Sequence, residues 1–383
     1  MKTKRDFIIT SLQSWDMPIG GNAKDIAIEM SRHNRVLYVN PYYEKAYAQD
    51  GLLRQINNSL WVANIPISMW SVNFLPDGIL FDYANRRNNR KKFDEVSKLI
   101  KKLHFQNYIL FIDNDIYRSQ YAKEYLSPSL SIYYRRDNLQ PIEYWKRHIA
   151  RLEPLLIKKC DVTLCNSEEL MEYPASFHVP VKMVGQGVYL EAYNPQKSYT
   201  IPQDIASIPT PRIGYIGAIL STRLDAALIF QLAQKHPSYS FILVGEADDG
   251  FRTHPLQQLP NIYFLGQKEL AEVPTYLYSM DICINPQVVN EVTIGNYPRK
   301  IDEYLAMGKP IVGTSTRTMQ HIFSEYVHLA QNVTEFSEKL QVALAECNNV
   351  PLKEQRIAFA HTHSWTNSVQ KIYHAIEKIE KTK

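Results

Sequence analysis

Two doubly wound α/β domains in tandem are predicted by three observations. Short β-branched runs alternate with amphipathic stretches along nearly the whole chain, which is the pattern of parallel α/β units. The alternation breaks at residues 191–211, a stretch rich in Pro, Ser and Thr that reads as a linker, and starts afresh at 212. The chain has 383 residues, room for two domains of ordinary size. Its hydrophobic content of 45% is that of a globular protein whose core needs no disulfide or metal staple.

Each element has its own warrant. Residues 6–12 (DFIITSL) form the first strand, followed by a loop with Gly20 and Gly21, a helix over 22–33, and strands at 35–40 and 60–65. A basic helix over 86–103 leads to strands at 108–112 and 131–135, a helix over 142–158 and a strand at 161–166. The second half repeats the scheme, with strands at 212–219, 240–246, 261–267 and 281–286 and helices over 223–235 and 270–279. In a last helix over 365–381, Val369, Ile372, Ile376 and Ile379 fall near helical spacing. Doubly wound domains bind ligands at the C-terminal ends of their strands, so the residues just after each strand are the candidates for function.

Residues 296–314 read NYPRKIDEYLAMGKPIVGT. Asn296 suits a helix N-cap, and Pro298 suits the first turn, where its missing N–H costs nothing. Gly308 can adopt the left-handed conformation that ends a helix, and Pro310 bars its resumption. IVGT then reads as a buried strand. Lys300 and Glu303, three apart, share one helix face. A cation at a helix N-terminus makes an anion site, and a carboxylate one turn on can hold a pair of sugar hydroxyls. The plain alternative is that Arg299, Lys300, Asp302 and Glu303 form a solvated helix face.

The string EYLAMGKPIV resembles the signature of glycosyltransferase family 4, whose members have the two-lobed GT-B fold. The resemblance is strongest over 212–316 and weak before 130. It implies two Rossmann-like domains facing across a cleft. The first, residues 1–195 with a helix at 365–383 crossing back to it, would hold the acceptor. The second, residues 196–364, would hold the nucleotide sugar. In the family a Glu-x7-Glu pair contacts the donor, and Glu303 matches the second Glu, the ribose ligand. Gly295 stands where the first belongs, with Asn296 beside it as a substitute. Pro298, Lys300, Glu303 and Tyr304 match a Pro-x-Lys-x-x-Glu-Tyr variant seen in polysaccharide-building members.

Other donor ligands are expected from strand ends. Gly217 lets backbone N–H groups approach phosphate. The Arg and Lys that often follow it in the family are Ala218 and Ile219 here, which leaves Arg223 as the nearest basic residue and Lys300 as the principal phosphate ligand. Gly245, and Gly266 with Gln267, are expected to offer backbone contacts, and Arg299 flanks the diphosphate. Gly20 and Gly21 suit a phosphate or an acceptor hydroxyl, although a tight turn explains them nearly as well.

Arg135, Arg136 and Asp137 follow a strand directly. Asp137 is the candidate catalytic carboxylate or acceptor-orienting base, with Lys300 as the catalytic cation. A simple pairing of Asp137 with its arginine neighbours is equally open. Asp113-Asn114-Asp115 has the Asp-x-Asp form by which single-domain transferases hold a divalent metal. It lies in the wrong half for that role and reads as a strand-end turn, so no metal ligand is predicted. The four cysteines lack metal spacing and suit a reducing compartment.

The start of the chain has only a short apolar stretch, and no run approaches the ~20 apolar residues of a membrane span. Residues 86–103 carry eight cations and two anions, with Phe93, Val96, Leu99, Ile100 and Leu103 on one stripe. Such a helix suits an anionic bilayer, and equally an ordinary surface helix packed on a sheet. No nucleic-acid module is present. The expectation is therefore a cytoplasmic transferase, peripheral at the inner membrane face. It would move sugar from a UDP- or GDP-linked donor to a glycan or polyprenyl-linked acceptor, with retention and without a cofactor, in surface polysaccharide synthesis. The rivals are a nucleotide-sugar 2-epimerase on the same fold and a non-catalytic sugar-binding protein.

Overall fold

Residues 4–17, 21–41, 52–291 and 293–382 are described in the computed structural model, so Gly20 lies outside the described residues. The chain divides into two units, Met1–Gly185 with Ser368–Lys383, and Gln186–Asn367.

The first unit runs β1 (Asp6–Ser11), α1 (Asn22–Ser31), β2 (Arg35–Val39), β3 (Leu53–Asn57), β4 (Leu60–Ala63), α2 (Ile79–Lys102), β5 (Ile109–Asp113), α3 (Ala122–Leu126), β6 (Leu130–Arg135), α4 (Glu143–Lys159), β7 (Val162–Cys165), α5 (Glu168–Ala175) and β8 (Val181–Met183). Its sheet order is β3-β4-β2-β1-β5-β6-β7-β8. Only β3 runs antiparallel to its neighbour among the described strands. The central strands β1, β5 and β6 are buried along their full length, which is why they read as near-continuous apolar runs. The edge strand β3 (LRQIN) is mostly exposed and polar, so it carries no such signal and was not predicted.

The second unit runs α6 (Gln203–Ala206), β9 (Arg212–Ile216), α7 (Ala226–Lys235), β10 (Ser240–Val244), α8 (Asp249–Arg252), β11 (Ile262–Gly266), α9 (Val273–Tyr278), β12 (Ile282–Asn285), α10 (Lys300–Ala306), β13 (Ile311–Thr314), α11 (Arg317–Phe323), β14 (His328–Ala330), α12 (Val333–Ala345) and α13 (Val350–Thr362). Its six strands are all parallel, in the order β11-β10-β9-β12-β13-β14. Apolar residues cover both faces of this sheet. Ile216, Ile242 and Leu305 belong to one core and Ile213, Leu243 and Phe336 to the other.

The last helix, α14 (Trp365–Glu380), starts in the second unit and continues in the first. Its stripe Val369, Ile372 and Ile376 is buried. The Tyr373 hydroxyl accepts from Asn34 Nδ2 at 2.7 Å, and Glu380 pairs with Arg5 at 2.6 Å.

Several expectations are corrected. The stretch 191–211 is not a loose linker. Tyr193, Ile205 and Ile208 are buried in the second core, and Val188 bridges Ser364, so the division falls at residue 185 and not at 195. The helix expected from 223 begins at Ala226, capped by Asp225, whose carboxylate accepts from Leu228 N at 2.9 Å. Asn296 does not cap α10, which begins at Lys300; its own N–H instead donates to Thr293 in a preceding turn. The other end of α10 follows the expectation. Gly308 has φ +70°, and the N–H groups of Gly308 and Lys309 close onto the carbonyls of Leu305 and Tyr304.

The basic helix starts a full two turns early, at Ile79, after Gly78 at φ +109°. Its cations also divide. Lys92 is 1% exposed and pairs with Asp115 at 3.3 Å, so it cannot belong to a solvent-facing basic surface. Asp115 also accepts from Arg118 at 2.9 Å and from Ser119 Oγ at 2.8 Å. Burial alone would raise the Asp115 carboxyl, but Arg118 and Lys92 outweigh it and hold it below its ordinary range. Removing one partner of a buried pair typically costs about 3–5 kcal/mol. With Arg118 left to compensate, Lys92→Gln is expected to cost about 3 kcal/mol, whereas Arg90→Gln and Lys91→Gln stay within about 0.5 kcal/mol. Urea unfolding of the three variants checks this, and equal midpoints would contradict the burial of Lys92.

Candidate functional site

Three glycines stand at the C-terminal ends of three adjacent strands of the second unit. Gly217 follows β9, Gly245 follows β10, and Gly266 ends β11. All three have positive φ, at +145°, +149° and +70°. They are tied in sequence across the sheet, since Gly217 N donates to Val244 O and Gly245 N donates to Gly266 O, each at 2.9 Å. A Cβ on Gly245 would stand 2.0 Å from the carbonyl oxygen of Gly217, so no side chain fits there. The result is a rim of bare backbone next to the point where strand order reverses between β9 and β12. Backbone of this kind can approach a ligand closely.

Helix α10 delivers Lys300 to that rim. A Cβ on Gly217 would meet Lys300 Cε at 3.0 Å and Nζ at 3.2 Å, so the ammonium rests on the glycine. Its Nζ lies 4.7 Å from the centre of the Tyr215 ring, a cation–π contact that leaves the charge unneutralised. Among the described residues this ammonium meets a ring and bare backbone, with no carboxylate at ion-pair distance. Tyr304, one residue after Glu303, fixes the geometry from below. Its hydroxyl accepts from Ile216 N at 2.9 Å and donates to Ile216 O at 3.2 Å, pinning α10 to the end of β9.

Glu303 is 16% exposed and lies 3.4 Å from Arg299 Nε. Burial pushes its carboxyl above the ordinary range, while Arg299, Lys300 and a hydrogen bond from Tyr193 oppose the shift. The neighbouring Asp302 is wholly buried. It accepts from the Tyr297 hydroxyl at 2.8 Å and meets His363 Nδ1 at 3.0 Å. The four charges of the signature are therefore not one solvated face. Asp302 anchors the helix inward, Arg299 and Glu303 form a half-buried pair, and Lys300 points at the glycine rim.

The other predicted ligands are distributed differently. Arg223 is exposed in the turn before α7, and its carbonyl accepts from Val288 N at 3.0 Å. Gln267 is exposed directly after Gly266, and Asn296 is half-buried in the turn ahead of α10. Gly21 precedes α1 in the first unit, where a Cβ would meet Gln13 Oε1 at 2.4 Å.

Asp137 also lies in the first unit, with its side chain 28% exposed and bonded to Arg136. Arg136 in turn reaches Asp113 at 2.7 Å, and Ser11 Oγ donates to the same carboxylate at 2.7 Å. Arg135, expected beside them at the strand end, turns inward instead and pairs with Glu153 at 2.9 Å. The Asp-x-Asp pair is thus matched within the protein: Asp113 by Arg136, and Asp115 by Lys92 and Arg118.

Sequence reasoning did not single out Tyr215 or the Asp302–His363 pair, and it used Tyr304 only as part of a motif. A tyrosine in an otherwise apolar helix face needs a partner for its hydroxyl, and Tyr304 carried that signal. Nothing in the order of residues joins Asp302 to His363, sixty-one positions away.

Comparison with known proteins shows what this chain resembles. Residues 210–346 match the family model for glycosyl transferases group 1. The chain thus has the GT-B fold, and residues 210–346 of its second unit are similar to group 1 glycosyl transferases. A curated relative from Bacillus subtilis (strain 168), provisionally named as the teichuronic acid biosynthesis glycosyltransferase TuaH, is 29% identical over 248 residues. That match spans 62% of this chain and 62% of the relative.

Among solved structures, HepE of Anabaena in complex with UDP and glucose superposes with a TM-score of 0.66 at 16% identity, covering 98% of this chain and 100% of that one. Sucrose-phosphate synthase from Thermosynechococcus elongatus superposes with a TM-score of 0.70 at 12% identity, covering 99% and 100%. At these identities the likeness establishes the GT-B fold.

The glycine rim yields a graded test. Gly245→Ala places a Cβ against backbone at 2.0 Å, whereas Gly266→Ala meets nothing within 4 Å and bears only the strain of φ +70°. Gly266→Ala is expected to cost about 1 kcal/mol and Gly245→Ala several times that. Thermal melting of both variants checks the order, and equal losses would show that the close approach at Gly245 is not made.

Proposed function

We propose that this protein transfers a sugar from a nucleoside diphosphate donor to a glycan or lipid-linked acceptor in the synthesis of a surface polysaccharide. One observation carries the reading: Lys300, an ammonium with no carboxylate at ion-pair distance among the described residues, rests on the bare backbone at Gly217, one helical turn from the carboxylate of Glu303. The diphosphate lies against Gly217 under Lys300, and Glu303 accepts hydrogen bonds from the ribose hydroxyls. The UDP in HepE and the name given to the Bacillus relative favour a uridine donor and a cell-envelope glycan.

The reaction breaks the bond between the anomeric carbon and the diphosphate, and negative charge grows on the leaving oxygen. Lys300, held against Gly217 and the Tyr215 ring, faces that charge as a positioned cation. No divalent metal enters this scheme, because Asp113 and Asp115 are already matched by Arg136, Lys92 and Arg118. Retention at the anomeric carbon belongs to the same reading and follows from the family resemblance. Asp137, held by Arg136, is the group offered to an acceptor hydroxyl. A lipid-linked acceptor also requires the protein to approach a membrane, which Arg86, Arg90 and Lys91 on the exposed face of α2 support.

Lys300→Ala is expected to lower kcat by roughly 10²–10³ and to change donor KM less, because the contact strengthens as the diphosphate leaves. Steady-state kinetics with UDP-linked sugars checks this. A rise in KM at constant kcat would make Lys300 a binding residue only.

Glu303 adds a pH dependence. Its carboxyl is raised by burial, yet a carboxylate must be ionised to accept from two ribose hydroxyls. Below the raised value, binding has to expel a proton. UDP affinity is therefore expected to climb as pH rises through the ordinary carboxylate range to that raised value and then level off. The phosphate of UDP titrates in both proteins, so the quantity to read is the difference from Glu303→Gln by calorimetry. Parallel profiles in the two proteins would remove Glu303 from the ribose site.

A further inference from the structure

Among the described residues of the first unit, the start of α2 presents a cluster of exposed apolar side chains. Ile79 is 87% exposed, Leu80 64% and Tyr83 67%, and the preceding loop adds Phe74 at 63% and Trp70 at 46%. The Trp70 and Tyr83 rings lie 6.4 Å apart, Arg87 stacks on Trp70 at 3.8 Å, and Ile79 and Leu80 stand one helical turn before Tyr83. Single exposed apolar residues need no explanation, but a set of five gathered at the start of one helix and in the loop before it, three of them aromatic, does.

The patch is built to stay exposed. Asn88 holds the Trp70 backbone at both ends, accepting from its N–H at 2.9 Å and donating to its carbonyl at 2.8 Å. Arg147 of α4 donates to the Phe74 carbonyl. Asp77 is clamped by Arg151 at 2.7 Å and by His148 at 2.9 Å. The loop is thereby held in place, with Trp70 and Phe74 exposed ahead of Ile79, Leu80 and Tyr83 on the helix.

Charge follows the apolar set along the same exposed stripe of the helix. Ile79, Leu80 and Tyr83 come first, then Arg86 and Arg87, then Arg90 and Lys91. At 1.5 Å per residue, the cations begin about 5 Å beyond Tyr83 along the helix axis and extend about 12 Å beyond it. A lipid bilayer has that profile, apolar chains below and anionic headgroups a few ångströms above, with Trp and Tyr favoured at the boundary.

We propose that the protein docks on anionic membranes by inserting Trp70, Phe74, Ile79, Leu80 and Tyr83, with Arg86, Arg90 and Lys91 at headgroup level. The inference accompanies the transferase reading, since a lipid-linked acceptor would be met there, but its test is independent of catalysis. It also changes the expected chemistry of attachment. A purely electrostatic helix would be released by salt, whereas an inserted tip keeps part of its binding.

The test is cosedimentation of the full chain with phosphatidylcholine vesicles, with and without phosphatidylglycerol, at low and high salt. Wild type is expected to bind the anionic vesicles and to retain measurable binding at high salt. The combined variant Phe74→Ser, Ile79→Ser, Leu80→Ser is expected to bind at least about tenfold more weakly and to lose the salt-resistant part. Arg86→Gln, Arg90→Gln, Lys91→Gln is expected to bind about tenfold more weakly while keeping it. Tryptophan quenching by lipids labelled near the headgroup is expected in wild type and reduced in Trp70→Phe.

Wild-type binding that the apolar variant leaves unchanged overturns the proposal. So does absence of binding to either vesicle, or self-association abolished by the apolar variant without vesicle binding, which would make the patch a contact between copies. A thermal shift with UDP, run on every variant, reports folding and the donor site separately. Loss of that shift in wild type would fail the transferase reading without touching the membrane result.

Discussion

No side chain can stand at the end of β10. The carbonyl of Gly217 fills the place a Cβ of residue 245 would occupy, and the Gly245 N–H is bonded onward to Gly266. Much of the second unit's candidate chemistry depends on this close approach. Gly217 itself has φ +145°, and its missing Cβ leaves room for the Lys300 side chain. The helix that supplies Lys300 is then fastened twice, by Tyr304 to the backbone of Ile216 and by Asp302 to His363 and Tyr297. A flexible lysine is in this way converted into a positioned cation. Its side chain packs on a ring and bare backbone, and both of its helix's fastenings are buried.

The first unit uses charge in the opposite manner. Its strand ends carry Asp113, Asp115, Arg136 and Asp137, with Lys92 reaching in from α2, and the charges are consumed by one another. Buried carboxylates are tolerated only when matched, and each of the two aspartates of the Asp-x-Asp string has an internal cation. The same residue types that would hold a metal in an open pocket here stitch β5, β6 and α2 together. Burial works in both directions within this network. It pushes the Asp113 carboxyl up despite Arg136, and it pushes the Lys92 ammonium down despite Asp115.

Helix α2 shows how one element can serve both purposes. One face, with Phe93, Val96, Ile100 and the paired Lys92, closes the core of the first unit. The opposite stripe passes from exposed apolar residues to exposed cations within about three turns. Counting charges along the sequence merges the two faces, because a buried lysine and a solvated one contribute equally to a tally.

The sequence by itself determined the elements whose signal is local. The alternation of buried strands with helices, the left-handed stop at Gly308, the strand at IVGT and the placing of Lys300 and Glu303 one turn apart all follow from periodicity, caps and backbone sterics, which act within a few residues. The tertiary structure alone decided what those residues meet. That Gly217 and Gly245 touch, that Tyr215 lies beneath Lys300, that Asp302 reaches His363 and that residues 191–211 belong to a core are facts about strands and loops far apart in the chain. The physical reason is that a side chain's pairing and burial are set by whichever elements the sheet order brings beside it. Lys92 and Lys91 are neighbours in sequence, and only the packing of α2 on the sheet makes one an internal counter-ion and leaves the other in solvent.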